Sequence, residues 1–251
     1  MQNSIALLAT GDEIVAGDIL NTNSQEIAHA LFHEKMFVSQ HQSVRDQEED
    51  IARAILSLLE HNKALIITGG LGPTTDDRTR LALATAIQRP LYFDETVWQG
   101  ILDRFFIRYG QTEIPLSNRQ QAFFPEGATI FPNRNGSAAG CLCLHDNKMI
   151  FMLPGPPHEC LPMFHHYVLP ALKASQFMQN IHSERWQLFG VSEAYIAEQL
   201  EYALQGLMCQ TGYRAMSSYV EFKLFADHPE ILTRGINAVK SILLPYLKEG
   251  K

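Results

Sequence analysis

The stretch Ile66-Ile67-Thr68-Gly69-Gly70-Leu71-Gly72-Pro73-Thr74-Thr75-Asp76-Asp77 decides how this chain reads. Ala64 to Thr68 is a short apolar run, the pattern of a strand buried on both faces. Three glycines and a proline break it, and a helix is expected to start near Thr74. Glycine permits positive φ and lets the backbone come close to a ligand. A helix start leaves N–H groups free and carries partial positive charge, which suits phosphate. Gly69, Gly70, Gly72 and Thr74 are therefore candidate phosphate contacts, with Thr74 or Thr75 as the cap. A plain strand-to-helix turn with carboxylates on the helix dipole accounts for one Gly and one Asp. It does not account for three glycines in four residues and a second Asp. No Gly-Lys-Ser/Thr follows, so the segment is not a P-loop, and it lacks the dinucleotide Gly-x-Gly-x-x-Gly spacing.

On the N-terminal side, Ser4 to Thr10 is a second apolar strand, running into Gly11-Asp12-Glu13. A helix over Ser24 to His33 and a strand over Met36 to Val44 follow. Ile51, Ile55, Leu58 and Leu59 then recur at amphipathic-helix spacing. This βαβ rhythm predicts an α/β domain with a mostly parallel sheet and helices on both faces. Ligands of such sheets sit beyond the carboxyl ends of the strands. Thr10, Gly11, Glu13, Asn23 and Asp46 should therefore meet the glycine turn on one edge. Several carboxylates around a phosphate require a hard divalent cation, Mg²⁺, Mn²⁺ or Co²⁺, with a monovalent cation as a further candidate. Glu13 and Asp46, with the acids at the end of the Gly69 to Asp77 segment, supply such carboxylates. Taken alone, Asp46 reads equally well as a helix N-cap.

Toward the C-terminus, Val97, Ile101 and Phe105 mark another helix, and Pro115 to Gly140 is loop-rich. Arg119 and Arg134 lie in that stretch as candidates to reach phosphate, against the default of an exposed Arg. Strands over Gly140 to Leu144 and Lys148 to Leu153 follow. Pro154-Gly155-Pro156-Pro157 stops the second and starts a helix ending near Leu172. Because it ends a strand on the ligand edge, the segment Pro154 to Glu159 is read as binding wall, with Pro154, Gly155 and Pro156 as its contacts. Cys141, Cys143 and His145 alternate on a strand, with His158 and Cys160 nearby, and invite a zinc reading. Small buried thiols beside a turn histidine are the simpler one. After a linker over Ala174 to Glu184, a strand, a helix, two strands and a final helix (Pro229 to Leu247) make a small α+β domain. The expected domains are 1–173 and 184–251.

The chain has 251 residues, 46% of them hydrophobic, and a net charge of −7. That balance argues against a broad nucleic acid surface, and the tail lacks the Gly-x-x-Gly spacing of a KH grip. A small anion can still be held by backbone N–H groups. With no secretory or membrane-spanning segment, the four cysteines are expected to be reduced thiols in the cytoplasm.

Several motifs in order carry a family resemblance: Thr10-Gly11-Asp12-Glu13-Ile14-Val15-Ala16-Gly17, Asn21-Thr22-Asn23-Ser24, Gly69 to Asp77 with Thr79, Asn118-Arg119-Gln120, Pro125-Glu126-Gly127-Ala128 and Leu153-Pro154-Gly155-Pro156-Pro157-His158-Glu159. Together they resemble the CinA family. The resemblance implies a three-layer molybdopterin-binding-like fold of the MoaB and Mog type. Around Leu188-Phe189-Gly190-Val191-Ser192-Glu193 it implies a KH-like domain, read as structural or dimer-forming, so that a homodimer is expected. It further implies metal-dependent hydrolysis of ADP-ribose to AMP and ribose 5-phosphate. Asp46 and Asp77 fall at the family's active-site aspartates and Glu13 in the shared Gly-Asp-Glu turn, so the resemblance makes Glu13, Asp46 and Asp77 the expected catalytic and metal-binding residues. A pterin- or nucleotide-binding module without catalysis, or adenylyl transfer to molybdopterin, would use the same pocket. The deamidase domain of full-length relatives is not expected within these 251 residues. Where the family reads Gly-Thr-Ala-Pro-Gly, this chain has Gly136-Ser137-Ala138-Ala139-Gly140, so Ser137 keeps the hydroxyl without the proline.

Overall fold

Strands β1 (Ile5–Thr10) and β3 (Ala64–Thr68) are buried at every residue, which is why their sequences are unbroken apolar runs. The computed structural model describes residues 4–110, 113–175, 177–178 and 181–248. Around β1 and β3 stand β2 (Val38–Val44), β6 (Thr129–Phe131), β7 (Gly140–His145) and β8 (Lys148–Leu153), in the order β2-β1-β3-β8-β7-β6. The β1/β2, β1/β3 and β3/β8 pairs are parallel, whereas β7 and β6 add antiparallel.

Side chains alternate across this sheet. Ala6, Leu8, Leu65, Ile67, Ile150 and Met152 pack with Ile51, Ile55 and Leu58 of α3 (Glu48–His61) and Leu83 of α4 (Thr79–Ala86). Ile5, Leu7, Ile66, Phe151 and Leu153 pack on the other face with Ile27 and Leu31 of α2 (Thr22–His33) and Cys160 of α6 (Pro157–Met163). The result is three layers, α/β/α. A five-residue helix α1 (Asp12–Ala16) follows β1. The pair β4 (Leu91–Phe93) and β5 (Phe123–Pro125) forms a separate two-stranded ladder flanking α5 (Glu95–Tyr109). After α6 the chain passes through a π-turn, Phe164–Val168, into α7 (Leu169–Ala174).

The chain divides into two compact units, Met1–Met178 and Gln179–Lys251. The second has its own antiparallel sheet, in the order β10-β11-β9, from β9 (His182–Leu188), β10 (Gln210–Ala215) and β11 (Val220–Ala226). Helices α8 (Glu193–Ala203) and α9 (Pro229–Leu243) supply Ile196, Leu200 and Val239 to a core with Leu188, Phe222 and Leu224. No helix among the described residues is long and apolar enough to cross a membrane.

Several boundaries differ from expectation, among them the start of β2 at Val38 rather than Met36 and the end of α9 at Leu243 rather than Leu247. Strand β9 begins at His182, inside the stretch read as linker, because Glu184 and His182 extend a ladder with Leu224 and Ala226. The helix expected at Thr74 starts only at Thr79, and the intervening turn is held by side chains rather than by helical hydrogen bonds.

Candidate functional site

Gly69 and Gly70 leave β3 with φ of 102° and 64°. A Cβ at Gly69 would fall on the Thr10 carbonyl oxygen, and one at Gly70 on Thr79 Oγ1. Only glycine combines these dihedrals with that approach. The turn is fastened from three sides. The Gly69 N–H donates to the Leu153 carbonyl at 3.1 Å. Thr79 Oγ1 donates to the Gly69 carbonyl at 2.9 Å and lies 3.1 Å from Thr10 Oγ1. Arg80, 4% exposed, donates to the Leu71 carbonyl at 2.8 Å and to the Ala139 carbonyl at 3.5 Å, with its guanidinium 5.6 Å from the Phe124 ring centroid. It makes no ion pair among the described residues, and its Nε has no partner. Burial lowers its pKa to about 10.

Asp77 turns inward to close the loop. Its Oδ1 accepts from the Gly72 N–H at 2.7 Å, and its Oδ2 accepts from the Thr74 N–H at 2.8 Å and the Thr74 hydroxyl at 2.5 Å. Gln120 closes the same loop from outside, donating to the Gly72 and Thr74 carbonyls at 3.1 and 2.6 Å. This corrects two expectations. Thr74 is no helix cap, and it faces Asp77 instead of the cavity. The Gly72 and Thr74 N–H groups expected to face phosphate point at the Asp77 carboxylate.

At the neighbouring strand ends, Asp12 and Asp46 exchange backbone bonds. The Asp12 N–H donates to Asp46 Oδ2 at 3.0 Å, and the Asp46 N–H to Asp12 Oδ1 at 3.1 Å. Arg45 adds a two-pronged pair to Asp12, at 3.1 and 3.2 Å. The Arg45 bond, then the Asp46 N–H, holds the Asp12 carboxyl below its usual value. Asp46 goes the other way. Burial raises its pKa, opposed by the Asp12 N–H and reinforced by the charges of Glu13, Asp12 and Asp76. Asp46 Oδ1 is buried without a partner. Asp46 is not the N-cap of α3; that position is Gln47.

These edges enclose a cavity of about 520 Å³. Thr10, Gly11, Glu13, Asn23, Asp46, Gly69, Gly70, Gly72, Asp77, Ser137, Pro154, Gly155 and Pro156 all line it; Thr74 alone among the expected contacts does not. Asn23 Nδ2 donates to the Gly155 carbonyl at 2.6 Å, tying α2 to the proline turn, and its Oδ1 is left without a partner. Glu159, at the end of the proline motif read as binding wall, lines the cavity, and so does Gln121, which was not singled out from sequence. Gln121, 1% exposed, donates to Ser137 Oγ at 3.2 Å and keeps its Oε1 unpartnered. Glu159 accepts from Asn133 Nδ2 at 2.7 Å. Ile19 and Leu20 form an exposed apolar lip. The sequence signal nearest Gln121 was the adjoining motif Asn118-Arg119-Gln120, in which Arg119 was the residue singled out.

No group of three or more His, Cys, Asp or Glu side chains placed to hold a metal occurs among the described residues, so Glu13, Asp46 and Asp77 do not form one ready-made cage. The zinc reading fails for the same reason. Cys141 and Cys143 lie 3.9 Å apart in the core on one face of the sheet and Cys160 on the other. Arg119 stacks on Phe93 and Trp98, with its guanidinium 4.5 and 5.5 Å from their centroids. Neither Arg119 nor Arg134 lines the cavity.

The sequence profile described as "Probable molybdopterin binding domain" matches residues 6–174. A competence-damage inducible protein of Thermoanaerobacter pseudethanolicus is 39% identical over 195 residues, 78% of this chain and 46% of that protein. One from Caldanaerobacter subterraneus subsp. tengcongensis is 34% identical over 224 residues, 89% of this chain and 54% of that protein. The chain thus spans about half the length of these relatives. A solved structure of the protein CinA from Thermoplasma acidophilum has a TM-score of 0.60 and 28% identity, covering 69% of this chain and 98% of that one. With that profile matched across nearly the whole first unit, the chain belongs to the molybdopterin-binding-domain family and carries the N-terminal domain of the CinA proteins.

Proposed function

We propose that the cavity binds a nucleotide diphosphate, ADP-ribose foremost, and hydrolyses it to AMP and ribose 5-phosphate with a divalent cation. One observation carries the reading: Asp46 Oδ1 is buried, unpartnered and surrounded by carboxylates. A hard cation on that oxygen would relieve the repulsion, and Mg²⁺ commonly takes only one or two carboxylates, the rest being water and substrate phosphate. Asp46 would hold it, with Glu13 at the rim. When bound, such a cation supplies charge neutralisation on the phosphate oxygens.

The chain's own groups would do the remainder. The buried, unpaired charge of Arg80 lies behind the glycine turn and favours an anion in front of it. Asp77 acts as a clamp that fixes the shape of the turn. Glu13 is exposed and free to orient water and take its proton as that water adds to phosphorus and the diphosphate bridge breaks. The test is incubation of the pure protein with ADP-ribose and Mg²⁺, Mn²⁺ or Co²⁺; the expected product is AMP, and no AMP with any of the metals would sink hydrolysis.

A second reading is pterin binding without turnover, in keeping with the family's description. The unpartnered acceptors Asn23 Oδ1 and Gln121 Oε1 favour a ligand rich in N–H donors. Calorimetry distinguishes the two: tight pterin binding with no hydrolysis of ADP-ribose selects the binding module. Adenylyl transfer to molybdopterin would instead show as product from ATP and a pterin dithiolene.

A further inference from the structure

Behind the loop that carries Ser137 lies a second cavity of about 500 Å³, formed by one face of α5 and the segment from β6 to Ala139. Val97, Ile101, Ile130, Pro132 and Ala139 give it apolar walls. Three observations set it apart from an accidental surface cleft. First, Gly100 stands in the interior of α5 on the cavity lining, and a Cβ built there meets nothing within 4 Å. Mid-helix glycine costs roughly 1 kcal/mol relative to alanine. No packing constraint explains it, and its effect is to leave the groove floor open.

Second, Arg104 lines the groove. Its Nη2 donates to the carbonyls of Asn133 and Arg134 at 3.0 and 3.1 Å, which anchors the guanidinium, and it forms no ion pair among the described residues. Arg104 sits ten residues after Asp94 along α5, about 15 Å at the helical rise. Asp94 is occupied as the cap of the helix, accepting from the Val97 N–H at 2.9 Å. The groove therefore presents an apolar floor with a fixed, unpaired cation on its lining. Apolar walls with a few placed polar groups are the usual composition of a small-molecule site.

Third, the wall is shared. Ser137 lines both cavities. Asn133, on the second cavity, donates to Glu159 on the first at 2.7 Å, and also to the Ala138 carbonyl at 3.0 Å. Its Oδ1 accepts the Asn135 and Gly136 N–H groups, both at 2.9 Å. One asparagine thus shapes the loop between the two cavities.

We propose that this groove is a second binding site, for a compact apolar carboxylate whose body lies over Gly100 and whose carboxylate pairs with Arg104. Occupancy would brace the Asn133 to Ala139 loop and so bear on Ser137 and Glu159 in the first cavity. The proposal stands independently of any hydrolysis in the first cavity.

The test is a fluorescence titration of the full chain with 2-naphthoate and its neutral analogue naphthalene-2-carboxamide. Saturable naphthoate binding is expected. Gly100→Leu, which fills the groove, should weaken both probes at least tenfold. Arg104→Met should weaken naphthoate about tenfold and leave the carboxamide within twofold. Leu20→Ala, at the lip of the first cavity only, should leave both unchanged. Absence of saturable binding up to millimolar probe overturns the proposal, as does binding unaltered by Gly100→Leu and Arg104→Met, or weakened only by Leu20→Ala. Should Gly100→Leu fail to fold, the selective response of Arg104→Met decides between the same outcomes.

Discussion

Asp46 sets its proposed role against stability. Its folded-state pKa is raised above 3.8, burial being the main cause. The fold therefore favours the protonated form, and the carboxylate opposes folding at neutral pH. That opposition fades as pH falls through the raised folded value toward 3.8. Asp46→Asn should accordingly raise the melting temperature of the ligand-free protein at pH 7, by a margin that narrows near pH 4, while lowering turnover at least a hundredfold. Paired thermal melts at the two pH values check this, and a lower melting temperature at pH 7 would contradict it. Gly70 makes the opposite case. Gly70→Ala adds strain at φ 64° and a clash with Thr79, so a loss of about 2 kcal/mol or more is expected in urea unfolding. A loss under about 0.5 kcal/mol would show that the turn yields freely.

At the scale of the element, the turn between β3 and α4 is organised by Asp77. Both of its oxygens accept bonds from within the loop. Asp77→Asn keeps one acceptor and turns the other into a donor that opposes the Thr74 or Gly72 N–H. The expected result is a retained fold and a KM for ADP-ribose raised about tenfold or more, with a smaller change in kcat. A large fall in kcat at constant KM would return Asp77 to the reacting atoms. Arg80 supports the same turn from beneath. Arg80→Gln removes the charge while keeping a donor for Leu71, and should weaken anion binding about tenfold, roughly 1.4 kcal/mol. Equal affinity for ADP-ribose in calorimetry would show that the buried charge serves packing alone.

For the whole molecule, every residue lining the first cavity belongs to the unit that ends at Met178. A chain of residues 1–178 should therefore keep the ligand affinity of the full chain within about threefold, a difference under about 0.7 kcal/mol. Loss of binding in a truncated protein with native circular dichroism would show that the second unit supports the site. The second unit has a separate core of Leu188, Leu200, Phe222 and Val239, which gives each unit its own source of stability.

Much of this was legible from residues alone. The apolar runs at Ile5–Thr10 and Ala64–Thr68 specify central strands, because a strand covered on both faces carries no polar alternation. Glycines and acids directly after such strands locate the ligand edge, since strand ends in a parallel sheet share a side. What a side chain does after arriving there is a different matter. Asp77 and Asp46 both follow a strand within a glycine- or acid-rich turn, yet one carboxylate is consumed by the N–H groups of its own loop and the other is left partly bare. Gln121 enters the site from a segment distant in sequence, as the Ser137 loop does, whereas Arg80 reaches the turn from the helix that directly follows it. Local sequence determined where backbone and charge would gather. Only tertiary packing decided which polar atoms found partners and which remained open to a ligand, because hydrogen-bond satisfaction depends on neighbours that the chain brings together from far apart.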